Sequence, residues 1–318
     1  MALLLVLLGL STLGGLVWLL LPAIRRYVAG GVCTSSARLD GKTALITGAN
    51  TGIGKETAWD LARRGARVIL ACRDMNKAES VAAEITANTG NTDVVVCKLD
   101  LASTTSIRNL AARVNKEESA LHILINNAGV MACPYWKTED GFEMQIGVNH
   151  FGHFLLTYLL LDLLKRSAPA RIVNVSSIMH KWGHINFDDL QSEKGYNGNS
   201  AYCQSKLANV LFTRELARRL HGSGVTANSL HPGVVRTKLT RHNSASRICI
   251  YFLYFIFKNS KQGAQTSIHC AVAEELNTVS GLYFSDCVPT AVGSCANDQQ
   301  AASRLWDMSC RQLSIQWD

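Results

Sequence analysis

Tyr202 and Lys206 lie four residues apart in the segment AYCQSK at 201–206. In a helix this spacing puts the phenol and the ammonium on one face, where they are neighbours. A tyrosine hydroxyl normally loses its proton near pH 10, but a nearby positive charge favours the phenolate and lowers the pKa. The pair therefore predicts a general acid that protonates a substrate oxygen, or a general base in the reverse reaction.

Two further polar residues could complete such a site. Ser177 follows the strand candidate 171–176 and would stand at the carboxyl edge of a parallel sheet, where ligands bind. Its hydroxyl can donate to a substrate oxygen as negative charge develops there. Ser176 is the alternative, but strand neighbours point to opposite faces, so Ser176 would face away. Asn149 lies in a predicted helix, where it is either part of the site or an ordinary polar residue.

A glycine-rich segment, TGANTGIGKE at 47–56, connects the first strand candidate to a helix. Its three glycines permit a tight turn and leave room for a pyrophosphate to approach the backbone. The helix that follows would direct its unpaired N–H groups and the positive end of its dipole at the phosphates. The alternative is a loop without a ligand, which its place after the first strand of a βα series disfavours. The predicted phosphate-binding residues are Gly48, Asn50, Thr51, Gly52, Ile53 and Gly54.

The end of the second strand bears on the choice between two dinucleotides. This strand ends in ACRD, at 71–74. An acidic residue here accepts the ribose 2′-hydroxyl of NAD, whereas an arginine accommodates the 2′-phosphate of NADP. Arg73 has the planar fork that suits phosphate, and Asp74 beside it keeps NAD as the alternative. The sequence therefore predicts NADP(H) as the cofactor.

The elements that would position these residues alternate between short apolar strands and helices. This alternation predicts an α/β fold, a single Rossmann-type doubly wound parallel sheet with helices on both faces. The strand candidates are 43–47, 67–72, 93–98, 121–126, 171–176 and 225–230, and the helix candidates are 55–64, 76–87, 104–116 and 203–220.

The N-terminus carries an apolar segment of its own. Residues 2–24 contain no charge and are long enough to span a bilayer, which takes about twenty apolar residues. A cleaved signal peptide would have positive charge before the apolar run, but here Arg25 and Arg26 follow it. The sequence therefore predicts a single transmembrane helix, an uncleaved anchor with the rest of the chain in the cytosol. The predicted divisions are an anchor at 1–26, a linker at 27–40 and a catalytic domain at 41–318.

Composition argues against several other classes of protein. Of the 318 residues, 47% are hydrophobic and 18% are charged, which predicts a large core rather than disorder. The net charge of +8 is spread along the chain without a basic cluster, so we expect no nucleic-acid partner. Ten cysteines without a C-x-x-C pair predict thiols in a reducing compartment and no metal site. Four histidines are expected to be structural or lining residues, since no carboxylate stands at zinc-ligand spacing: His150, His153, His180 and His184.

Several motifs occur in the order typical of the short-chain dehydrogenase/reductases, which the sequence resembles over about residues 40–300. They are TGANTGIG, NNAG at 126–129, NVSS at 174–177, YCQSK at 202–206 and HPG at 231–233. The resemblance implies hydride transfer with a nicotinamide cofactor, with Tyr202, Lys206, Ser177 and Asn149 as catalytic residues. It implies that Lys206 also holds ribose hydroxyls, and that Asn149 holds a water that connects to the lysine.

The same resemblance implies further cofactor contacts. Asp100 would contact the adenine, and Asn127 and Gly129 would line the floor beneath the cofactor. Pro232, with Gly233, would lie near the nicotinamide, and Thr237 would reach its carboxamide or the phosphates.

Longer stretches resemble the membrane-anchored retinol dehydrogenases, the group that contains retinol dehydrogenases 11 to 14, with 11 and 12 nearest. They are GVCTSS, GKETA, ACRD, GFEMQIGVNHFGHFLL, SKLANVLFTRELARRL and QGAQTS. The group's pattern is Y-C-H-S-K, and this sequence departs from it at Gln204, outside the expected catalytic set. The segment 288–300 departs more, which bears on substrate preference rather than on reaction type.

Two segments interrupt the alternation and bear on the substrate. Residues 178–200 are expected to wall the substrate pocket. The run ICIYFLYFIF at 248–257 is too short to span a bilayer and would form an apolar lid, a segment that dips into membrane lipid, or a core helix. With the anchor, both features suit an apolar substrate that lives in the membrane.

The resemblance implies that the substrates are retinal and retinol, with net retinal reduction by NADPH at the endoplasmic reticulum membrane. Lipid-derived aldehydes and steroids are the alternative substrates. A cofactor-binding membrane protein without turnover is the alternative of another class, and an intact Asn149, Ser177, Tyr202 and Lys206 argues against it. The sequence leaves open whether the chain forms a homo-oligomer.

Overall fold

The computed structural model of the protein describes residues 22–237, 239 and 257–317. The strands are β1 Thr43–Thr47, β2 Arg67–Cys72, β3 Val94–Lys98, β4 Ile123–Asn126, β5 Ala170–Val175, β6 Val225–His231, β7 Tyr283–Ser285 and β8 Val288–Pro289. They form one sheet in the order β3-β2-β1-β4-β5-β6-β7-β8. Neighbours from β3 to β7 are parallel, and β8 pairs antiparallel with β7 at the edge.

Helices connect the strands and cover the sheet. The longer ones are α1 Gly52–Arg63, α2 Met75–Thr89, α3 Thr104–Glu117, α4 Gly152–Arg166, α5 Gly198–Arg219, α6 Ser260–Val272 and α7 Gln299–Gln312. Side chains fix where several of them begin, because Asp74 caps α2 and Ser103 caps α3. A helical turn, Met144–Ile146, and a π-helical turn, Gly147–Phe151, lead directly into α4.

Two apolar clusters fill the space between the sheet and the helices, one on each face. Alternation along β1 shows the division, since Leu45 belongs to one cluster and Ala44 and Ile46 belong to the other. Helices α3, α4, α5 and α7 cover the Leu45 face, and α1, α2 and α6 cover the opposite face. The predicted doubly wound parallel sheet with helices on both faces is therefore confirmed.

All six predicted strands are present, with small shifts at their ends. For example, β4 begins at Ile123 rather than at residue 121. The prediction omitted β7 and β8, which have three and two residues and are too short to give an apolar run. It also omitted the helices α6 and α7 that follow the interrupted segment.

Part of the predicted linker packs against the domain. Arg64 donates from Nη1 to the carbonyl oxygens of Ser35 and Ala37, at 3.0 and 2.9 Å. A Cβ atom on Gly31 would stand 1.9 Å from the carbonyl oxygen of Asp286, so the backbone is in close contact with the β7–β8 turn there. The chain therefore reaches β1 along a fixed path over the domain.

Within the described ranges, no helix combines the length and the apolar character that crossing a membrane requires. The predicted anchor falls mainly on residues 1–21, and the run at 248–257 falls mainly on residues 240–256. Both stretches lie outside the described residues.

Candidate active site

The carboxyl ends of five neighbouring strands, β2, β1, β4, β5 and β6, surround a cavity of about 610 Å³. The strand order reverses between β1 and β4, and open α/β sheets bind their ligands at such a point. All the predicted cofactor-binding residues line this cavity, together with Ser177. Asn149 is fully buried and binds the backbone of Val130, which is part of the lining.

The loop after β1 has no room for side chains at its glycines. Gly48 and Gly52 have φ angles of +67° and +58°, in the left-handed region that favours glycine. A Cβ atom on Gly54 would stand 2.5 Å from both Asn127 Nδ2 and the Gly48 carbonyl oxygen. The side chain of Thr51 does not cap α1, and the first residues of that helix line the cavity. A glycine cradle at an uncapped helix N-terminus fits the pyrophosphate of a dinucleotide.

Thr47 and Asn127 tie this loop to the end of β4. The Thr47 hydroxyl accepts the backbone N–H groups of Asn127 and Ala128, at 2.9 and 3.0 Å. In return, Asn127 donates from Nδ2 to the carbonyl oxygen of Thr47 at 2.8 Å. Asn127 therefore joins the glycine-rich loop to the end of β4 on the floor of the cavity.

Two basic side chains line the cavity beyond the end of β2. Arg73 is exposed, and its Nη1 lies 3.9 Å from a carboxylate oxygen of Asp100. Asp74 is occupied as the N-cap of α2, where it accepts the N–H of Lys77 at 3.1 Å. Lys77 also lines the cavity, and sequence reasoning missed it. Its place in the first turn of the helix after the second strand was the available signal.

Tyr202 is 4% exposed at the cavity wall. Burial raises the pKa of its hydroxyl to about 12, and a hydrogen bond with Ser177 acts in the opposite direction. The spacing to Lys206 predicted a lowered pKa for Tyr202, and this prediction is wrong for the protein without cofactor. The loss of water around the buried hydroxyl raises the pKa by more than its neighbours lower it. Tyr202 is a neutral phenol at pH 7, which is the form that a general acid needs.

Lys206 is 3% exposed, and its Nζ donates to the carbonyl oxygen of Val175 at 3.0 Å. Burial lowers the pKa of this ammonium to about 8. The lysine therefore loses its proton at a lower pH than Tyr202 does. At pH 7 Lys206 still carries most of its charge.

Asn149 lies in the π-helical turn before α4 and is fully buried. Its Oδ1 accepts the N–H of Val130 and its Nδ2 donates to the carbonyl oxygen of Val130, each at 2.9 Å. Nδ2 also donates to Ser205 Oγ at 2.9 Å, and that hydroxyl donates to the carbonyl oxygen of Tyr202 at 2.8 Å. Asn149 thus connects the cavity floor to the helix that carries Tyr202 and Lys206. A π-helical turn often marks a functional site.

The two adjacent serines have different partners. Ser177 lies beside Tyr202 and lowers the pKa of the phenol, and the Ser177 Oγ accepts the N–H of Met179 at 3.2 Å. Ser176 donates from Oγ to the carbonyl oxygen of Lys206 at 2.7 Å, which fastens β5 to α5. Of the pair, Ser177 is the serine at the phenol.

Gln204 holds part of the 178–200 segment against α5. Its Oε1 accepts the N–H of Asn186 at 2.8 Å, and its Nε2 donates to the carbonyl oxygen of Leu190 at 3.1 Å. Ile178 and Met179, at the start of this segment, line the cavity. The position at which the sequence departs from the group's pattern therefore supports a wall segment.

Histidines near the site make structural hydrogen bonds. His180 places Nδ1 2.7 Å from the carbonyl oxygen of Ser177, and its Nε2 accepts the N–H of Gly293 at 3.1 Å. His150 places Nε2 2.8 Å from Ser309 Oγ. Among the residues that the structure describes, no group of three His, Cys, Asp or Glu side chains is arranged to hold a metal ion.

Much of the remaining lining is apolar. One group comes from the loop after β4, the turns before α4 and the loop after β5: Val130, Met131, Met144, Val148, Ile178 and Met179. Methionine side chains are flexible and adapt to ligands of irregular shape. Ile178 and Met179 begin the segment that was predicted to wall the pocket, whereas the other four come from separate loops and turns and share no spacing that would predict them.

Comparison with known proteins gives a family model and close relatives. The model described as short chain dehydrogenase matches residues 42–247. Human retinol dehydrogenase 12 is 58% identical over 317 residues, which are 99% of this chain and 100% of that protein. Human retinol dehydrogenase 11 is 58% identical over 303 residues, which are 95% of each chain.

Solved structures share the fold as well. A crystal structure of an uncharacterized protein from Mycobacterium Paratuberculosis has a TM-score of 0.74 and 37% identity, covering 91% of this chain and 99% of that one. The Pseudomonas aeruginosa RhlG/NADP active-site complex has a TM-score of 0.63 and 28% identity, covering 78% of this chain and 95% of that one.

Proposed function

The chain belongs to the short-chain dehydrogenase family, and we propose that it is an NADP(H)-dependent oxidoreductase that interconverts retinal and retinol. One arrangement carries this proposal. The neutral Tyr202 hydroxyl, with Ser177 beside it and the Lys206 ammonium close to its ring, lies on the wall of the cavity that also contains the glycine cradle. A proton donor and a dinucleotide site in one cavity are what carbonyl reduction requires.

The cofactor, when bound, supplies the hydride for reduction or accepts it for oxidation. In reduction, Ser177 donates a hydrogen bond to the substrate carbonyl oxygen, and Tyr202 gives its proton to that oxygen. The carbonyl group thereby gains a hydride and a proton and becomes an alcohol. Lys206 stabilises the phenolate that remains on Tyr202, and Asn149 keeps the helix of both residues against the cavity floor.

The preference for NADP(H) rests on charges beyond β2. Arg73 and Lys77 present two cations to the cavity, whereas Asp74 is engaged as a helix cap. The positive charge of these two side chains would attract the 2′-phosphate of NADP(H), whereas the ribose 2′-hydroxyl of NAD(H) carries no charge and would be bound less strongly. Because most of the cytosolic NADP(H) pool is in the reduced form, NADPH, we expect net retinal reduction in cells.

The choice of retinoids rests on the apolar lining and on the relatives. The 58% identical proteins are named retinol dehydrogenases 11 and 12. The methionine-rich wall suits a long apolar substrate, and it would also accept lipid-derived aldehydes or steroids. A test of substrate preference therefore needs one of these competitors beside retinal.

We also propose that residues 1–26 anchor the catalytic domain to the endoplasmic reticulum membrane, with residues 27–40 as the connection and 41–318 in the cytosol. The uncharged stretch 2–24, followed by Arg25 and Arg26, supports this orientation. Protease treatment of sealed microsomes tests it. Digestion of the catalytic domain without detergent is expected, and protection of that domain would contradict the orientation.

The enzymatic proposal is tested by following NADPH consumption with all-trans-retinal in membranes that carry the chain. Parallel reactions contain NADH, or a medium-chain lipid aldehyde in place of retinal. We expect oxidation of NADPH that depends on retinal and is much slower with NADH. Turnover of the aldehyde but not of retinal would show that lipid aldehydes, and not retinoids, are the substrates. Binding of NADPH without turnover of either substrate would indicate a protein that binds the cofactor without catalysis.

A further inference from the structure

His153 occupies a buried position between the cofactor loop and the catalytic asparagine. Its ring is 2% exposed and lies one helical turn beyond Asn149. Nε2 lies 2.9 Å from Thr47 Oγ1, and Nδ1 lies 3.1 Å from the carbonyl oxygen of Asn149. One imidazole therefore contacts both the last residue of β1 and the π-helical turn.

The partners of Thr47 determine which ring nitrogen of His153 carries the proton. A hydroxyl has one hydrogen to donate and two lone pairs that accept. Both lone pairs of Thr47 Oγ1 are used by the backbone N–H groups of Asn127 and Ala128, at 2.9 and 3.0 Å. The Thr47 hydrogen must then go to His153 Nε2. Nε2 is the acceptor, and the Nδ1–H group donates to the carbonyl oxygen of Asn149.

The ring keeps this form at physiological pH. Burial lowers the pKa of His153 to about 4, and the nearby Lys206 charge on α5 acts in the same direction. His150, on the same stretch of helix, is also buried, and burial lowers its pKa to about 3. His153 is therefore a neutral imidazole with a single tautomer rather than a proton carrier.

The acceptor of the Nδ1–H bond lies where the helix changes from π-helical to α-helical hydrogen bonding. A π-helical turn pairs each carbonyl with the N–H five residues later, and the return to a spacing of four leaves more carbonyls than N–H groups. The carbonyl of Asn149 is in this turn, and His153 supplies it with a donor. The side chain of Asn149 binds Val130 and Ser205, so its backbone and side chain are both held.

We propose that His153 is a positioning residue, which holds the Asn149 carbonyl and the end of β1 at a fixed separation through the Nδ1–H tautomer. The cofactor floor and the helix of Tyr202 and Lys206 then keep the mutual placement that hydride transfer needs. This role rests on the proposed oxidoreductase function. It adds a residue outside the cavity lining to the set on which turnover depends.

Three substitutions separate the two bonds. His153→Leu removes both. His153→Asn returns a side-chain N–H near the place of Nδ1, and His153→Gln returns an amide near the place of Nε2. We expect His153→Leu to lower kcat about 100-fold, since a displacement of about 1 Å at a reacting centre can cost this much. His153→Asn should recover most of that loss and His153→Gln much less, with the KM for retinal nearly unchanged throughout.

The kcat values are normalised to the number of NADPH-binding sites, so that a fraction of unfolded protein does not count as lost catalysis. His221→Asn, at an exposed histidine, is the matched control and should behave like wild type. Equal kcat per site in all three His153 variants, with only the unfolding temperature reduced, would overturn the proposal by reducing His153 to a packing residue.

The tautomer provides a readout that needs no turnover. Nitrogen NMR of the protein labelled at histidine, with His153→Asn to assign the signal, should show a protonated Nδ1 and an unprotonated Nε2 between about pH 5 and 8. Thr47→Val, which removes the donor to Nε2, should shift the Nε2 signal and leave Nδ1 protonated, because the Asn149 carbonyl oxygen can only accept. A protonated Nε2 in wild type, or titration within that range, would overturn the proposal. A protein that turns over no retinoid would refute the proposed function and leave this test intact.

Discussion

The Nζ atom of Lys206 lies 5.7 Å from the centre of the Tyr202 ring, and both side chains are almost fully buried. Burial changes the two pKa values in opposite directions, to about 12 for Tyr202 and about 8 for Lys206. At pH 7 the protein therefore holds a neutral acid beside a cation. The withdrawal of that cation from water lowers the stability of the fold.

The cost of burying Lys206 should appear in the pH dependence of unfolding. Its pKa falls from 10.5 to about 8 on folding, so the unfolded chain binds more protons between these values. The contribution of Lys206 to stability should therefore rise with pH across that window. Lys206→Met has no such charge, and we expect it to be more stable at pH 7 by up to about 3 kcal/mol, less the lost hydrogen bond to Val175. This advantage should shrink towards pH 10.

Urea unfolding at a series of pH values measures this difference. Lys116→Met, at an exposed lysine, is the matched control and should show little change. The raised pKa values of the buried thiols also affect stability at high pH. Because both proteins contain the same thiols, this contribution cancels in the difference between them. An advantage of Lys206→Met that stays constant from pH 7 to pH 10 would show that the buried ammonium is not its cause.

The two serines at the end of β5 should separate catalysis from stability. Ser177→Ala removes the hydroxyl at Tyr202 and should lower kcat about 100- to 1000-fold, the loss usual for a donor to a developing oxyanion. Ser176→Ala removes the bond to the Lys206 carbonyl and should lower the free energy of unfolding by about 1 kcal/mol, with kcat near the wild-type value. Steady-state kinetics and urea unfolding of both variants test this. If Ser176→Ala lost turnover and Ser177→Ala lost only stability, then Ser176 would be the serine at the substrate.

The two cations beyond β2 should set the dinucleotide preference. Arg73→Ala should raise the KM for NADPH about 10- to 100-fold, as a charge-assisted hydrogen bond is worth roughly 1.5–3 kcal/mol. Lys77→Ala should have a smaller effect in the same direction. Neither should change the KM for NADH. Arg113→Ala is the control, since Arg113 pairs with Glu117 on α3. An equal change in KM for both dinucleotides would mean that these residues do not recognise the 2′-phosphate.

The glycine cradle should tolerate no side chain at Gly54. A Cβ atom there would collide with Asn127 Nδ2 and the Gly48 carbonyl oxygen, each 2.5 Å away. We expect Gly54→Ala to weaken NADPH binding at least 10-fold by forcing the loop apart, because the cradle requires close backbone contact. Gly195→Ala is the matched control, since a Cβ there has no neighbour within 4 Å. Fluorescence titration with NADPH measures both variants, and unchanged affinity in Gly54→Ala would show that this loop does not hold the phosphates.

The features that follow from local physics could be predicted from the sequence. The glycines at 48, 52 and 54 must lie in a tight turn, and the spacing of Tyr202 and Lys206 fixes their relation within one helix. Apolar runs gave the six central strands and hence the edge at which Ser177 lies. Each of these inferences needs only a few consecutive residues.

Features that depend on packing between distant segments could not be predicted. The pKa of Tyr202 rises because folding removes water around it, whereas the spacing to Lys206 predicted a fall. The bonds from Asn149 to Val130 and from His153 to Thr47 join residues far apart in sequence.

The most direct test of the account compares wild type with Tyr202→Phe, in membranes, for NADPH oxidation with all-trans-retinal. The substitution removes the phenolic oxygen and keeps the buried ring. NADPH affinity is measured in parallel, since it should survive the change. We predict a loss of turnover of at least about 100-fold, in the range that acid–base catalysis supplies, with cofactor binding retained. A variant that reduces retinal at the wild-type rate would contradict the claim that Tyr202 delivers the proton.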